Sequence, residues 1–159
     1  METSLIIVDN FYTDVDKTRE WVLQQPFDVR GNYPGQRTAP VHHWQDLKDS
    51  IQGIVEKAGG QITKWDYDYT TAFQYTTKHD SSWIHPDHTT MWAGVCYLTP
   101  DAPASGGTGL FRHKETGLVR PPRLEDGSLD DEWLKEHCWP HSRDFSKWDM
   151  TAMVGNVYN

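Results

Sequence analysis

Between residues 62 and 98 the sequence runs as four β-type segments, Ile62 to Tyr69, Thr70 to Thr77, Trp83 to Asp87 and Met91 to Leu98. Each is rich in β-branched and aromatic residues and is set off by polar turns, the pattern of strands in one sheet. What precedes them has a different period. Leu5 to Val8 is a short β-type run closed by Asp9-Asn10, after which Thr13 or Asp14 can cap a helix reaching about Gln25, just before Pro26. Gly31 to Gly35 is turn chemistry. From Asp46, the apolar residues Leu47, Ile51, Ile54, Val55 and Ala58 form one helical stripe that Gly59-Gly60 should stop.

After the β-type region, Thr99 to Gly109 is a Pro/Gly/Ser loop and Leu110 to His113 returns to a short strand. Residues 114 to 147 are polar and irregular apart from a short helix near Asp131 to His137, and read as a lid or a surface excursion. Val154 to Tyr158 looks like the start of a further strand. A chain of 159 residues suits one domain. The expected organisation is α+β, mainly β: an N-terminal strand and helices (1–60), sheet strands (61–113), an insertion (114–147) and a further strand (148–159), with the helices packed on one sheet.

Only 36% of residues are hydrophobic, but 8 Trp, 7 Tyr and 5 Phe can replace part of the missing aliphatic burial. The longest apolar runs fall far short of the ~20 residues of a membrane helix. Glu2 stands where a secretory signal needs basic residues, so the sequence reads as soluble and cytoplasmic, with no membrane partner. A net charge of −8 without a basic patch argues against nucleic acid. Cys96 lies in an apolar run and Cys138 in Glu-His-Cys-Trp-Pro-His; both read as free thiols.

The chemistry concentrates in Trp83-Ile84-His85-Pro86-Asp87-His88. On an extended segment residues i and i+2 project to the same side, so His85 and Asp87 can meet one ion. An imidazole and a carboxylate, completed by a second imidazole, make the facial set that holds non-haem Fe(II) with open positions. For that third ligand, His113, which follows the Gly-Gly-x-Phe-like strand, and His137 and His141 from the insertion are weak candidates. His79 reads as a loop residue, His88 as a neighbouring polar group and His42-His43 as the lead-in to the second helix. Asp126, Asp130, Asp131 and Glu132 read as a solvated helix N-terminus.

Read in order, Phe73-Gln74-Tyr75, His85-x-Asp87, Tyr97-Leu98-Thr99 and Gly106-Gly107-Thr108-Gly109-Leu110-Phe111 resemble the 2-oxoglutarate- and Fe(II)-dependent dioxygenases, in particular their prolyl-hydroxylase-like branch. The similarity extends over residues 5 to 112, since the entry Ile-Ile-Val-Asp-Asn-Phe-Tyr-Thr-Asp also looks like that branch. It implies a double-stranded β-helix, or jelly roll, with Fe(II) and 2-oxoglutarate as cofactors. His85 and Asp87 would be iron ligands and catalytic residues. Tyr75 and Tyr97 would turn their hydroxyls to the 2-oxoglutarate, although packing in a sheet explains the two rings as well.

In that branch a second His on a later strand completes the iron site, and an Arg or Lys after it pairs with the cosubstrate. Here no His follows Met150 and no Arg or Lys follows Lys147. Against the family the sequence therefore reads as lacking its C-terminal strands. The expected function is a 2-oxoglutarate/Fe(II) dioxygenase-like protein acting on a small molecule or peptide. The alternative is a truncated or degenerate, non-catalytic β-helix domain acting as a binding or structural module, whose exposed strand edges favour a homodimer. A cupin-like metal hydrolase or isomerase fits the order of motifs less well.

Overall fold

Asp14 starts the first helix by accepting the Lys17 N–H on Oδ1 at 3.1 Å. The computed structural model describes residues 3–41, 45–87 and 90–159. His42, His43 and His88, read above as a lead-in and a neighbouring polar group, lie outside them. The described chain divides into two compact units, Met1–Asp80 and Ser81–Asn159.

In the first unit, α1 spans Val15–Val22 and buries Val22. A second helix, α2, spans Gln45–Lys57. Gly59 adopts φ +83, its N–H donates to Glu56 O, and the Gly60 N–H donates to Val55 O. Those two bonds satisfy the last carbonyls in the left-handed cap that glycine permits, which is why the helix stops where Gly59-Gly60 predicts. Two short strands, β1 (Gln36–Arg37) and β2 (Gln74–Tyr75), pair antiparallel with Gln36 opposite Tyr75. Thr38, 1% exposed, extends this contact: its N–H donates to Phe73 O at 2.9 Å and its Oγ1 accepts the Phe73 N–H at 3.1 Å. Gly35 makes the approach with φ +74, and a Cβ there would lie 1.9 Å from Tyr75 O.

The second unit rests on a longer ladder. β3 (Thr108–His113) pairs antiparallel with β4 (Trp148–Val154), from Thr108 opposite Val154 to His113 opposite Trp148, with a bulge between Leu110 and Phe111. The run at Val154 to Tyr158, expected to start a further strand, is instead where the strand stops: β4 ends at Val154, and residues 155–159 join no ladder among the described residues. Between the two strands runs the segment read as a lid or surface excursion. It holds a short helix, α3 (Asp131–Trp133), continued by a π-helical turn, Leu134–Cys138. Asp130 caps it, accepting the Glu132 and Trp133 N–H groups at 3.0 Å each. Far from being peripheral, this segment supplies Leu129, Leu134 and Cys138, which with Trp148 form the buried core of the unit; Ile84, Phe111 and Trp133 pack against it.

The sheet expectation requires correction. Of the runs at 5–8, 62–69, 70–77, 83–87 and 91–98, only Gln74–Tyr75 joins a ladder among the described residues. Ile7, Tyr67, Tyr69, Met91 and Val95 are more than half exposed, so their β-type side chains have no packed face to create. Strand preference expresses fit to a half-buried pleated surface, and without that surface it fixes nothing. The architecture is α+β, with two small antiparallel sheets and few helices, and is not dominated by strands. No helix among the described residues is long and apolar enough to cross a membrane.

Candidate functional site

His85 and Asp87 are both exposed on a segment that belongs to no helix or ladder. That segment is tied down beside them: the Ile84 N–H donates to Ser142 O at 2.9 Å, and Ile84 packs on the buried core. The Arg143 guanidinium lies 4.9 Å over the Trp83 ring, whose centroid is 5.7 Å from that of His85. His85 Nδ1 is 3.0 Å from Trp83 O. A carbonyl only accepts, so Nδ1 carries the proton there and Nε2 of the neutral ring keeps its lone pair. Backbone anchoring of one ring nitrogen is the usual way a metal-ligating histidine is held. On that observation His85 suits a metal ion bound through Nε2, with Asp87 as the charged ligand two residues on.

The two tyrosines have separate surroundings. Tyr75, in the first unit, is exposed, and its Oη lies 2.7 Å from the Gln36 side-chain amide. Tyr97, half-buried in the second unit, has its Oη 2.5 Å from Thr108 Oγ1, and its carbonyl accepts the Asn159 N–H at 2.9 Å.

The three histidines considered as a third ligand come together with one another. His113, fully buried at the end of β3, points Nε2 at His141 Nδ1, 2.9 Å away, and Nδ1 at Thr116 Oγ1, 3.2 Å away. The His113 and His141 rings are stacked at 5.2 Å between centroids, and that of His137 is 5.7 Å from His113. Trp133 and Trp148 wall the His113 ring at 6.1 and 4.8 Å. Among the described residues, one group of three potential ligand atoms lies within 4.8 Å of one another, and it is His113, Glu115 and His141. Among the described residues, no such group joins any of these histidines to His85 and Asp87. The reason is topological: the β3 to β4 pairing places the ends of the 114–147 segment side by side, Lys114 N–H donating to Lys147 O at 3.0 Å, and folds His141 onto His113.

Glu115 escaped the sequence reading although its signal was present. His113-Lys114-Glu115 repeats the imidazole-x-carboxylate spacing of His85-Pro86-Asp87. Cys138, buried in the adjoining core, has its thiol pushed up to about 11 by burial, so it is a protonated, inert group at neutral pH.

Burial likewise pushes the His113 imidazole below the ordinary histidine range; the charges of His141, His137 and Lys147 act in the same direction and Glu115 opposes them. A group whose pKa falls on folding is protonated more readily in the unfolded chain, so stability is lost as pH drops below the unfolded value of about 6.5. In the presence of a chelator, the thermal midpoint is expected to fall between about pH 7 and pH 5, and to fall less in His113→Gln. Equal slopes in the two proteins would contradict this assignment. Asp80, Asp126 and Asp144, lowered chiefly by hydrogen bonds from Thr77, Ser128 and Ser146, lose their contribution only at more acid pH, as they protonate.

The chain belongs to a family of unknown function, DUF6445, which matches residues 1–131. The match includes His85, Asp87, Tyr75, Tyr97, His113 and Glu115. No curated protein and no solved structure matches the chain.

Proposed function

We propose that this member of the DUF6445 family is a 2-oxoglutarate- and Fe(II)-dependent dioxygenase-type domain, cytoplasmic, related to the double-stranded β-helix oxygenases, with His85 and Asp87 as iron ligands. The observation that carries the reading is the anchored His85 of the His-x-Asp motif, with Nδ1 on Trp83 O and Nε2 left to a ligand. The ordered succession of Tyr75, His85-x-Asp87, Tyr97-Leu98-Thr99 and Gly106 to Phe111 supports it.

Iron and 2-oxoglutarate, when bound, supply the oxidising chemistry: O₂ is consumed, a substrate C–H is hydroxylated, and succinate and CO₂ leave. The chain's own residues have simpler tasks. His85 contributes a neutral nitrogen donor whose orientation Trp83 O fixes, and Asp87 contributes the negative charge that a divalent ion requires. Trp83, with the Arg143 guanidinium over its ring, provides an aromatic neighbour to the His85 ring. Tyr97, in the same unit as His85 and Asp87, offers a phenol O–H group suited to a carboxylate such as that of 2-oxoglutarate. We do not assign the third ligand to His113 or His141, whose ring nitrogens face each other.

Aerobic incubation with Fe(II) and 2-oxoglutarate tests the reading. Succinate release well above that of Asp87→Ala is expected, and equal release by the two proteins would refute it. A second reading, a non-catalytic module that self-associates, is favoured by the two-stranded β3–β4 sheet, whose outer edges are unpaired among the described residues. It predicts a concentration-dependent homodimer in sedimentation and no succinate.

A further inference from the structure

We propose that His113 Nε2, His141 Nδ1 and the Glu115 carboxylate bind a divalent transition-metal ion of the zinc class, and that this ion steadies the segment presenting His85. The site goes beyond the dioxygenase reading and uses none of its ligands.

Four observations carry it. The three ligand atoms lie within 4.8 Å of one another. Two imidazoles and one carboxylate, leaving a fourth position for water, are a donor set that zinc accepts. His113 is fully buried and both its ring nitrogens are engaged, so the ring is held in one orientation beside His141. Thr116 Oγ1 holds Nδ1, as an outer hydrogen-bonding group holds a metal-bound histidine, and directs Nε2 at His141.

The local backbone brings the three ligands together. The His113 N–H donates to Leu118 O and the Gly117 N–H donates to His113 O, a turn closed by Gly117 at φ +71, and Glu115 lies within it. His141 is fixed on the other side: its N–H donates to Cys138 O at 3.1 Å and its carbonyl accepts the Trp148 indole N–H at 2.9 Å. Trp133 and Trp148 make the surroundings apolar. Nitrogens bound to one tetrahedral zinc stand about 3.3 Å apart, given Zn–N of about 2.0–2.1 Å, so the 2.9 Å pair opens by a few tenths of an ångström and the two rings turn until their lone pairs converge on the ion. If His113 Nδ1–H donates to Thr116 Oγ1, then His113 Nε2 accepts from His141 Nδ1–H, and metal binding places that His141 proton on Nε2 instead.

The consequence for His85 runs through adjacent residues. Ser142 follows His141 and its carbonyl accepts the Ile84 N–H, next to His85. Fixing His141 on a metal therefore restrains the strand of backbone on which His85 sits.

Zinc titration of the full chain against a chromophoric chelator, in an Asp87→Ala background, separates this site from the proposed iron site. Asp87→Ala is expected to take up one Zn²⁺. Asp87→Ala/Glu115→Gln and Asp87→Ala/His141→Gln should each bind at least about tenfold more weakly. Glu115 is exposed, so its substitution leaves the fold intact. Zinc should also slow hydrogen exchange at the Ile84 amide. Absence of zinc uptake by Asp87→Ala, or equal affinity in the double variants, overturns the site, and unchanged exchange at Ile84 overturns its positioning role.

Discussion

Replacing Leu134 with alanine is expected to lower the stability of the second unit by about 2–5 kcal/mol. Leu134 is fully buried and sits among Leu129, Cys138 and Trp148, with Ile84, Phe111 and Trp133 packed around them. The loss has two parts: the transfer free energy of the deleted carbons and the cavity they leave, because the neighbours relax only in part. Those neighbours come from different stretches of the chain, Ile84 beside the His-x-Asp motif, Phe111 on β3, Trp148 on β4. Collapse around the gap would require all of them to move together. Against the ~5–15 kcal/mol that typically separates folded from unfolded domains, this is a large fraction. Urea unfolding followed by tryptophan fluorescence measures it, and a change under about 0.5 kcal/mol, the range of surface substitutions, would show that the residue is not in a packed core.

Gly107→Ala is expected to be comparably damaging for a different reason. A Cβ at Gly107 would stand 1.9 Å from Val154 O, 2.7 Å from Gly155 C and 2.8 Å from Asn156 N. All three are backbone atoms, which cannot swing aside as a side chain can. The strand end must shift, and the Thr108 to Val154 pairing that begins the ladder shifts with it. Overpacking of this kind costs about 1–3 kcal/mol or more. Because Thr108 Oγ1 meets the Tyr97 hydroxyl, the local rearrangement should also reach Tyr97. Chemical denaturation of Gly107→Ala beside Gly117→Ala checks the argument: Gly117 meets nothing within 4 Å, so its cost is the strain of φ +71 alone. A smaller loss at position 107 than at 117 would contradict the close approach.

The helices α1 and α2 were legible in the sequence because their signals are local. Asp14 caps α1 through its own neighbours, and Gly59-Gly60 ends α2 with bonds to Glu56 and Val55. The β-type runs were misleading because strand formation is decided elsewhere in the chain. Ile62 to Tyr69 and Met91 to Leu98 have the composition of strands, yet no partner forms a ladder with them among the described residues. In contrast β4, Trp-Asp-Met-Thr-Ala-Met-Val, has unremarkable composition and becomes a strand because β3 pairs with it. The candidate sites divide in the same way. His85-x-Asp87 is readable as a spacing of two, and so is His113-x-Glu115. The partner His141 lies 28 residues beyond His113, and only the return of the chain from β3 to β4 brings the two rings together. That return also turned an apparently peripheral segment into the source of three of the four buried core residues of the second unit.

The central claim is that His85 and Asp87 bind iron that 2-oxoglutarate then chelates. An anaerobic Fe(II) titration of the full chain, with and without 2-oxoglutarate and alongside Asp87→Ala and Glu115→Gln, tests it most directly. The account predicts one-to-one binding that 2-oxoglutarate tightens, that Asp87→Ala abolishes and that Glu115→Gln retains. Iron binding that survives Asp87→Ala, or that 2-oxoglutarate leaves unchanged, would contradict it.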